Sequence, residues 1–263
     1  MRKALFVVGI MVFGLFSAPV VMAGSAAGTG INGSAHDLAM NFAPVPSDDG
    51  LQRMCIYCHT PHHSYKLSAA NGGPGGRGTG DTAPDVYDYL PLWNHALTTQ
   101  VFDPYQNGPG APQSGSKASQ AIQLGMTIGS SSLLCLSCHD GSVAVNTYGT
   151  TTALSKSTGS SYVAGSNLIG KDAYLGNHHP IGFDYNSAQS QNAELRDANV
   201  ARLGAAGLVS DHLYGAGNME CATCHSVHNK GNTGETLLWR SDTRSRLCLT
   251  CHNKGDDPAA TVP

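Results

Sequence analysis

Every cysteine in this 263-residue chain falls in a Cys-x-x-Cys-His motif. The four read Cys55-Ile-Tyr-Cys58-His59, Cys135-Leu-Ser-Cys138-His139, Cys221-Ala-Thr-Cys224-His225 and Cys248-Leu-Thr-Cys251-His252. On a helical turn, residues i, i+3 and i+4 project from one face, so two thiols and an imidazole are presented together. That is the attachment spacing of c-type haem: the thiols reach two vinyl groups on one porphyrin edge and the histidine reaches the iron. Four large apolar discs would then form much of the core. With 32 glycines and 13 prolines, the rest of the chain favours loops over long elements. The expected fold is mostly irregular coil with short α-helices, a tetrahaem c-type cytochrome wrapped around closely packed haems.

Two other uses of paired cysteines are weaker. A zinc ribbon does not demand a histidine directly after every second cysteine. A disulfide between Cys-x-x-Cys residues bridges poorly, and such pairs are usually redox-active or metal-binding.

The N-terminus reads as an export signal. Met1-Arg2-Lys3 is basic, residues 4–21 are apolar, and Val21-Met22-Ala23 before Gly24 suits cleavage. Removal of residues 1–23 moves the formal charge from −3 to −5 by loss of Arg2 and Lys3. An acidic chain lacks the Lys and Arg that neutralise phosphates, so nucleic acid is not an expected partner. No other apolar stretch approaches the ~20 residues of a span, so the mature chain is expected to carry none.

The motifs form a weak internal duplication. The first continues Cys58-His59-Thr60-Pro61-His62 and the third Cys224-His225-Ser226-Val227-His228, each with a further histidine three residues on. The second and fourth, Leu-Cys-Leu-Ser-Cys-His and Leu-Cys-Leu-Thr-Cys-His, are also alike. Two paired-haem modules are therefore expected at residues 24–150 and 151–263. The first carries Gly/Pro-rich insertions at 71–80 and 107–116, and a polar surface loop is expected at 150–167. Elsewhere the composition predicts a helix over 190–206, a short helix over 117–126, and strand fragments at 86–92 and 142–145.

Ligation of each iron decides the function. A second histidine saturates the metal and makes an electron carrier, whereas an open position makes a ligand-binding or catalytic haem. Of 12 histidines, four are proximal: His59, His139, His225 and His252. The remaining eight outnumber the vacant positions, which favours bis-histidine ligation over Met40, Met126 or Met219. His62 and His228 lie too near their own proximal histidines to reach the opposite face of the same haem. They are expected to ligate the other haem of their module, His62 at Cys135/Cys138 and His228 at Cys248/Cys251. Each module then needs one more ligand, supplied by His36 in the first and His179, beside the rigid Pro180, in the second. His63, His178 and His212 read as solvated loop residues. His95, in Pro91-Leu-Trp-Asn-His95, is a fifth candidate for four places.

Cys-x-x-Cys-His-Thr-Pro-His, Pro-Leu-Trp-Asn-His, Leu-Cys-Leu-Ser-Cys-His-Asp-Gly, His-Pro-Ile, Glu-Cys-Ala-Thr-Cys-His and Leu-Cys-Leu-Thr-Cys-His occur here in that order. Together, over residues 34–254, they resemble the doubled Cys-x-x-Cys-His multihaem cytochromes. In particular they resemble the tetrahaem OmcE-type cytochromes that polymerise into extracellular filaments. The resemblance implies bis-histidine haems throughout, with one distal histidine supplied by a neighbouring subunit. The 71–80 insertion has no counterpart in that pattern.

The expected function is extracellular electron transfer by four covalent haem c groups and their irons. Its partners would be copies of itself, joined head to tail in a conductive filament, and other redox cytochromes or extracellular acceptors. His36, on an N-terminal arm expected to be free, is the first candidate for the linking ligand, and His95 the second. The competing readings are a monomeric periplasmic shuttle and a multihaem reductase with one five-coordinate iron. The surplus of histidines opposes the reductase, so no enzyme activity is expected.

Overall fold

A computed structural model describes residues 26–41, 53–61, 92–103, 105, 130–148, 162–215 and 217–255. The export signal, His62 and His63, the two insertions, the 117–126 helix with Met126, nearly all of the 86–92 strand and the boundary between modules lie outside these residues.

Regular structure is sparse, as the glycine and proline content requires. The helices are α1 (Leu38–Asn41), α2 (Ser130–His139), α3 (Tyr185–Gln191), α4 (Cys221–Cys224) and α5 (Arg246–Cys251). Strands β1 (Phe183–Asp184) and β2 (Asn218–Met219) pair antiparallel, Phe183 opposite Met219. Among the described residues, no helix is long and apolar enough to cross a membrane.

Three of these helices carry Cys-x-x-Cys motifs: α2, α4 and α5. The motif at Cys55 lies on a 3₁₀ turn, Met54–Tyr57. Packing holds these elements rather than propensity, because helices this short are marginal alone. On α2, Leu133 and Leu136 are buried and pack with Phe102 and Leu175. A larger apolar cluster joins β1, β2 and α3 through Phe183, Tyr185, Ala188 and Met219, and adds Ala198, Ala201, Leu203 and Val209 from the following loop. Local caps set the boundaries. Asp184 caps α3 by accepting the Ser187 amide at 2.6 Å.

The 190–206 helix does not form. The helical run ends at Gln191, and only the single 3₁₀ turn Gly204–Ala206 follows. The Asn192 carboxamide oxygen takes the Glu194 amide at 3.0 Å and the Asp197 carboxylate takes the Asn199 amide at 2.8 Å. These Asx turns compete with the helical ladder, and buried Ala198, Ala201 and Leu203 no longer follow a helical period. The 142–145 strand is absent as well. Asp140 folds back on the Ser142 amide at 2.7 Å, beside Gly141 at φ +73°, and turns the chain. Within 162–167 the chain is an exposed turn interrupted only by half-buried Val163, as a surface loop requires.

Candidate haem-binding site

One backbone device positions three of the four proximal histidines. A single antiparallel bridge pairs His59 with Trp93, His225 with Leu238 and His252 with Leu195. In each case the second cysteine's carbonyl accepts an amide from the facing segment: Asn94, Trp239 and Arg196, at 2.8, 3.0 and 2.8 Å. The residue after each histidine returns a bond, Thr60 to Leu92, Ser226 to Leu237 and Asn253 to Glu194. Leu92 and Leu237 both adopt left-handed backbone, at φ +55° and +63°. The first and third motifs thus share a facing segment, Leu92-Trp93-Asn94 and Leu237-Leu238-Trp239, that extends the duplication beyond the cysteines. His139 differs: it ends α2, and its carbonyl accepts the Ile169 amide at 2.7 Å.

Opposed imidazoles are the central feature. His36 faces His139 with ring centroids 6.2 Å apart, His59 faces His228 at 6.1 Å, and His179 faces His252 at 6.2 Å. Two metal–nitrogen bonds of about 2.0 Å, with about 1.1 Å from each ring nitrogen to its centroid, require about 6.2 Å. The three separations match that spacing, so each pair would hold one haem iron between its two rings.

Hydrogen bonding sorts ligands from structural histidines. A metal-ligating imidazole normally donates its other nitrogen to a carbonyl or carboxylate. The Nδ1 atoms of His36, His139, His179 and His225 face the carbonyls of Val227, Asn167, Pro180 and Leu237 at 3.1, 2.7, 2.9 and 3.3 Å, which leaves Nε2 for iron. His212 is the reverse, with Nε2 on the Ala206 carbonyl at 3.0 Å and its ring against Trp239. His95 is only 1% exposed, with Nδ1 on the Ala96 carbonyl at 2.7 Å and Nε2 on that of Ala144 at 3.1 Å. His178 Nε2 takes the Gly170 amide.

Electrostatics agree with neutral ligands. Burial lowers the pKa of His36, His228 and His252, and the facing imidazoles of His139, His59 and His179 lower them further. Neutral imidazole is the form that binds metal. Burial also pushes the second thiol of every motif up: Cys58 and Cys251 to about 11, Cys138 and Cys224 to about 12. Cys221, the first thiol of its motif, is instead lowered, by its hydrogen bond with Cys135. All eight cysteines are free, with Cys55 and Cys248 exposed and the other six half-buried.

Several expected pairings are corrected. His228 stands opposite His59, not at the Cys248/Cys251 site, because Asn229 carries its segment to the N-terminal arm. The Asn229 carboxamide, fully buried, donates to the carbonyls of Ala26 and Gly30 at 2.7 and 3.0 Å. His179 faces His252 rather than completing the Cys221/Cys224 site. His36 faces His139, so the Cys135/Cys138 position assigned to His62 is taken, and the arm bearing His36 is docked on its own chain. Gly28 bonds the Asn232 side chain, Gly30 the Asn229 carbonyl, and His36 the Val227 carbonyl. His95 is buried within its own chain, with Nδ1 beside the Ala96 carbonyl and Nε2 beside the Ala144 carbonyl and, at 3.5 Å, the Cys138 sulfur, so it is not placed to reach a neighbour. His225 is exposed, and among the described residues no second imidazole stands opposite it. Met219 is buried in the apolar cluster beside Phe183.

A family model for the doubled CXXCH motif matches residues 215–257, the third and fourth motifs together. That match identifies covalent haem c attachment with iron in this segment and is consistent with a multihaem c-type cytochrome in electron transfer. No curated protein and no solved structure matches the chain.

Proposed function

We propose that this chain is a tetrahaem c-type cytochrome of extracellular electron transfer that polymerises head to tail into a conductive filament. Haem c, once attached, exchanges single electrons at potentials set by its ligands and burial. The eight cysteines hold four such groups, and His59, His139, His225 and His252 are the proximal ligands. The observation that carries the reading is the set of three opposed imidazole pairs together with one exposed proximal histidine. Saturated irons exchange electrons without binding substrate, so the protein acts as a conductor rather than an enzyme.

The His225 iron supports assembly. A histidine from a neighbouring copy there completes the metal and fixes the register, and a contact of this kind that does not close yields a fibre. His62 and His63 are the candidates left once His36 and His95 are accounted for, in the neighbour for a filament or in the same chain for a periplasmic monomer. Electron microscopy of the extracellular fraction, with wild type beside His62→Ala and His63→Ala, tests the choice. Fibres in wild type, lost in one variant whose monomer keeps four haems, support the filament. Monomers in wild type at high concentration, with every iron low-spin, replace it with the soluble carrier.

A further inference from the structure

Glu220 is a buried carboxylate at the junction of two haem-bearing helices. It is 2% exposed, and Ser132 and Thr223, which bind it, are equally buried. The Ser132 hydroxyl, one turn before Cys135 on α2, donates to Glu220 Oε2. The same Ser132 oxygen accepts the Cys221 amide of α4 at 3.0 Å. The Thr223 amide donates to the Glu220 backbone carbonyl at 3.0 Å, and the Glu220 amide donates to Thr223 Oγ1 at 3.0 Å, so the main chain of Glu220 opens α4 while its carboxylate turns to Ser132. The Glu220 carboxylate thus accepts from the Ser132 hydroxyl, and accepting is the one role an ionised carboxylate has in a hydrogen bond. Its charge reaches the attachment sites on both sides. The Cys135 thiol is pushed up by its bond to Cys221 and by burial, with Glu220 adding to both, and Tyr214 is raised by burial, then by Cys135 and Glu220.

A helix cap alone would be met by serine, threonine or asparagine without burying a charge. Burial of an ion costs several kcal/mol unless it is compensated. Near an iron such an ion acts through the metal: reduction adds one electron, and a fixed anion in a medium of low dielectric disfavours the more negative state.

We propose that Glu220 is a positioning residue that clamps the Cys135/Cys138 helix to the Cys221/Cys224 helix and lowers the reduction potentials of the His139 and His225 irons. It rests on the haem reading above. The pair at Cys135/Cys138 and Cys221/Cys224 would then differ in potential from the pair at Cys55/Cys58 and Cys248/Cys251.

The test is a redox titration of the fully loaded protein as wild type, Glu220→Gln and Ser132→Ala. Peptide mapping first counts haem at the Cys135/Cys138 and Cys221/Cys224 sites. Glu220→Gln keeps a carbonyl to accept the Ser132 bond and removes the charge, so two of the four redox components should rise while the other two stay. Ser132→Ala keeps the charge and removes a donor that neutralises part of it, so the same two components should fall. Opposite shifts confined to two components are not produced by mere loosening of the clamp. Unchanged potentials in Glu220→Gln, with haem present at both sites, overturn the proposal and leave the haem reading intact. Wild-type protein without haem at those sites overturns both.

Discussion

His228 stands 6.1 Å from His59, ring centroid to ring centroid, although it follows His225 by only three residues. A histidine three residues past one motif histidine thus stands opposite the histidine of another motif, from the opposite half of the chain. The link ties the first motif to the third before any haem-to-haem contact is considered.

Replacing His228 by Ala should leave all four haems attached, because covalent attachment uses the cysteines. The His59 iron should lose its sixth ligand and become high-spin. Resonance Raman of the purified variant should show one more high-spin haem than wild type, with the mass of the attached groups unchanged. His212→Ala should show no such change, since its Nε2 serves the Ala206 carbonyl.

Asn229→Ala should cost about 2–3 kcal/mol, because the fully buried carboxamide donates to the carbonyls of Ala26 and Gly30 and accepts from the Asn232 side chain and the Leu237 amide. The same loss should loosen the arm that carries His36. Limited proteolysis should cut within residues 26–41 in the variant and spare wild type, and the His139 iron should lose low-spin character.

Acid should act through the imidazoles of His36, His228 and His252. Burial lowers the folded pKa of His36, His228 and His252 below the ordinary 6.5. The unfolded chain therefore binds more protons, and the stabilisation is present above pH 6.5 and lost as pH falls through the lowered values. A Soret titration should stay flat from alkaline pH down to 6.5 and move toward high-spin only below it. Conversion that begins above pH 6.5 would show that these rings are not held neutral.

The cysteine motifs, and the choice of His36, His179 and His228 as the histidines to watch, were legible in the sequence, and each of the three stands opposite a motif histidine. Their pairing was not. Spacing says that His228 cannot reach its own haem, but which other iron it meets depends on Asn229 and its hold on Ala26 and Gly30. His95 looked available because its aromatic neighbourhood signals packing without saying what its nitrogens do. Two backbone carbonyls settle that. The 190–206 segment has helical composition, yet Asn192 and Asp197 turn it locally. Repetition of Leu92-Trp93 and Leu237-Leu238 around the first and third proximal histidines was present in the residues but too short to read without the bridges.

The spin-state count of the monomer tests the central claim most directly. Quantitative EPR of dilute, unassembled wild-type protein should show three low-spin irons, those of His59, His139 and His252, and one high-spin iron at His225. The assembled protein should show all four low-spin. Four low-spin irons in the dilute monomer would contradict a ligand supplied between subunits. More than one high-spin iron there would contradict the three pairs His36–His139, His59–His228 and His179–His252.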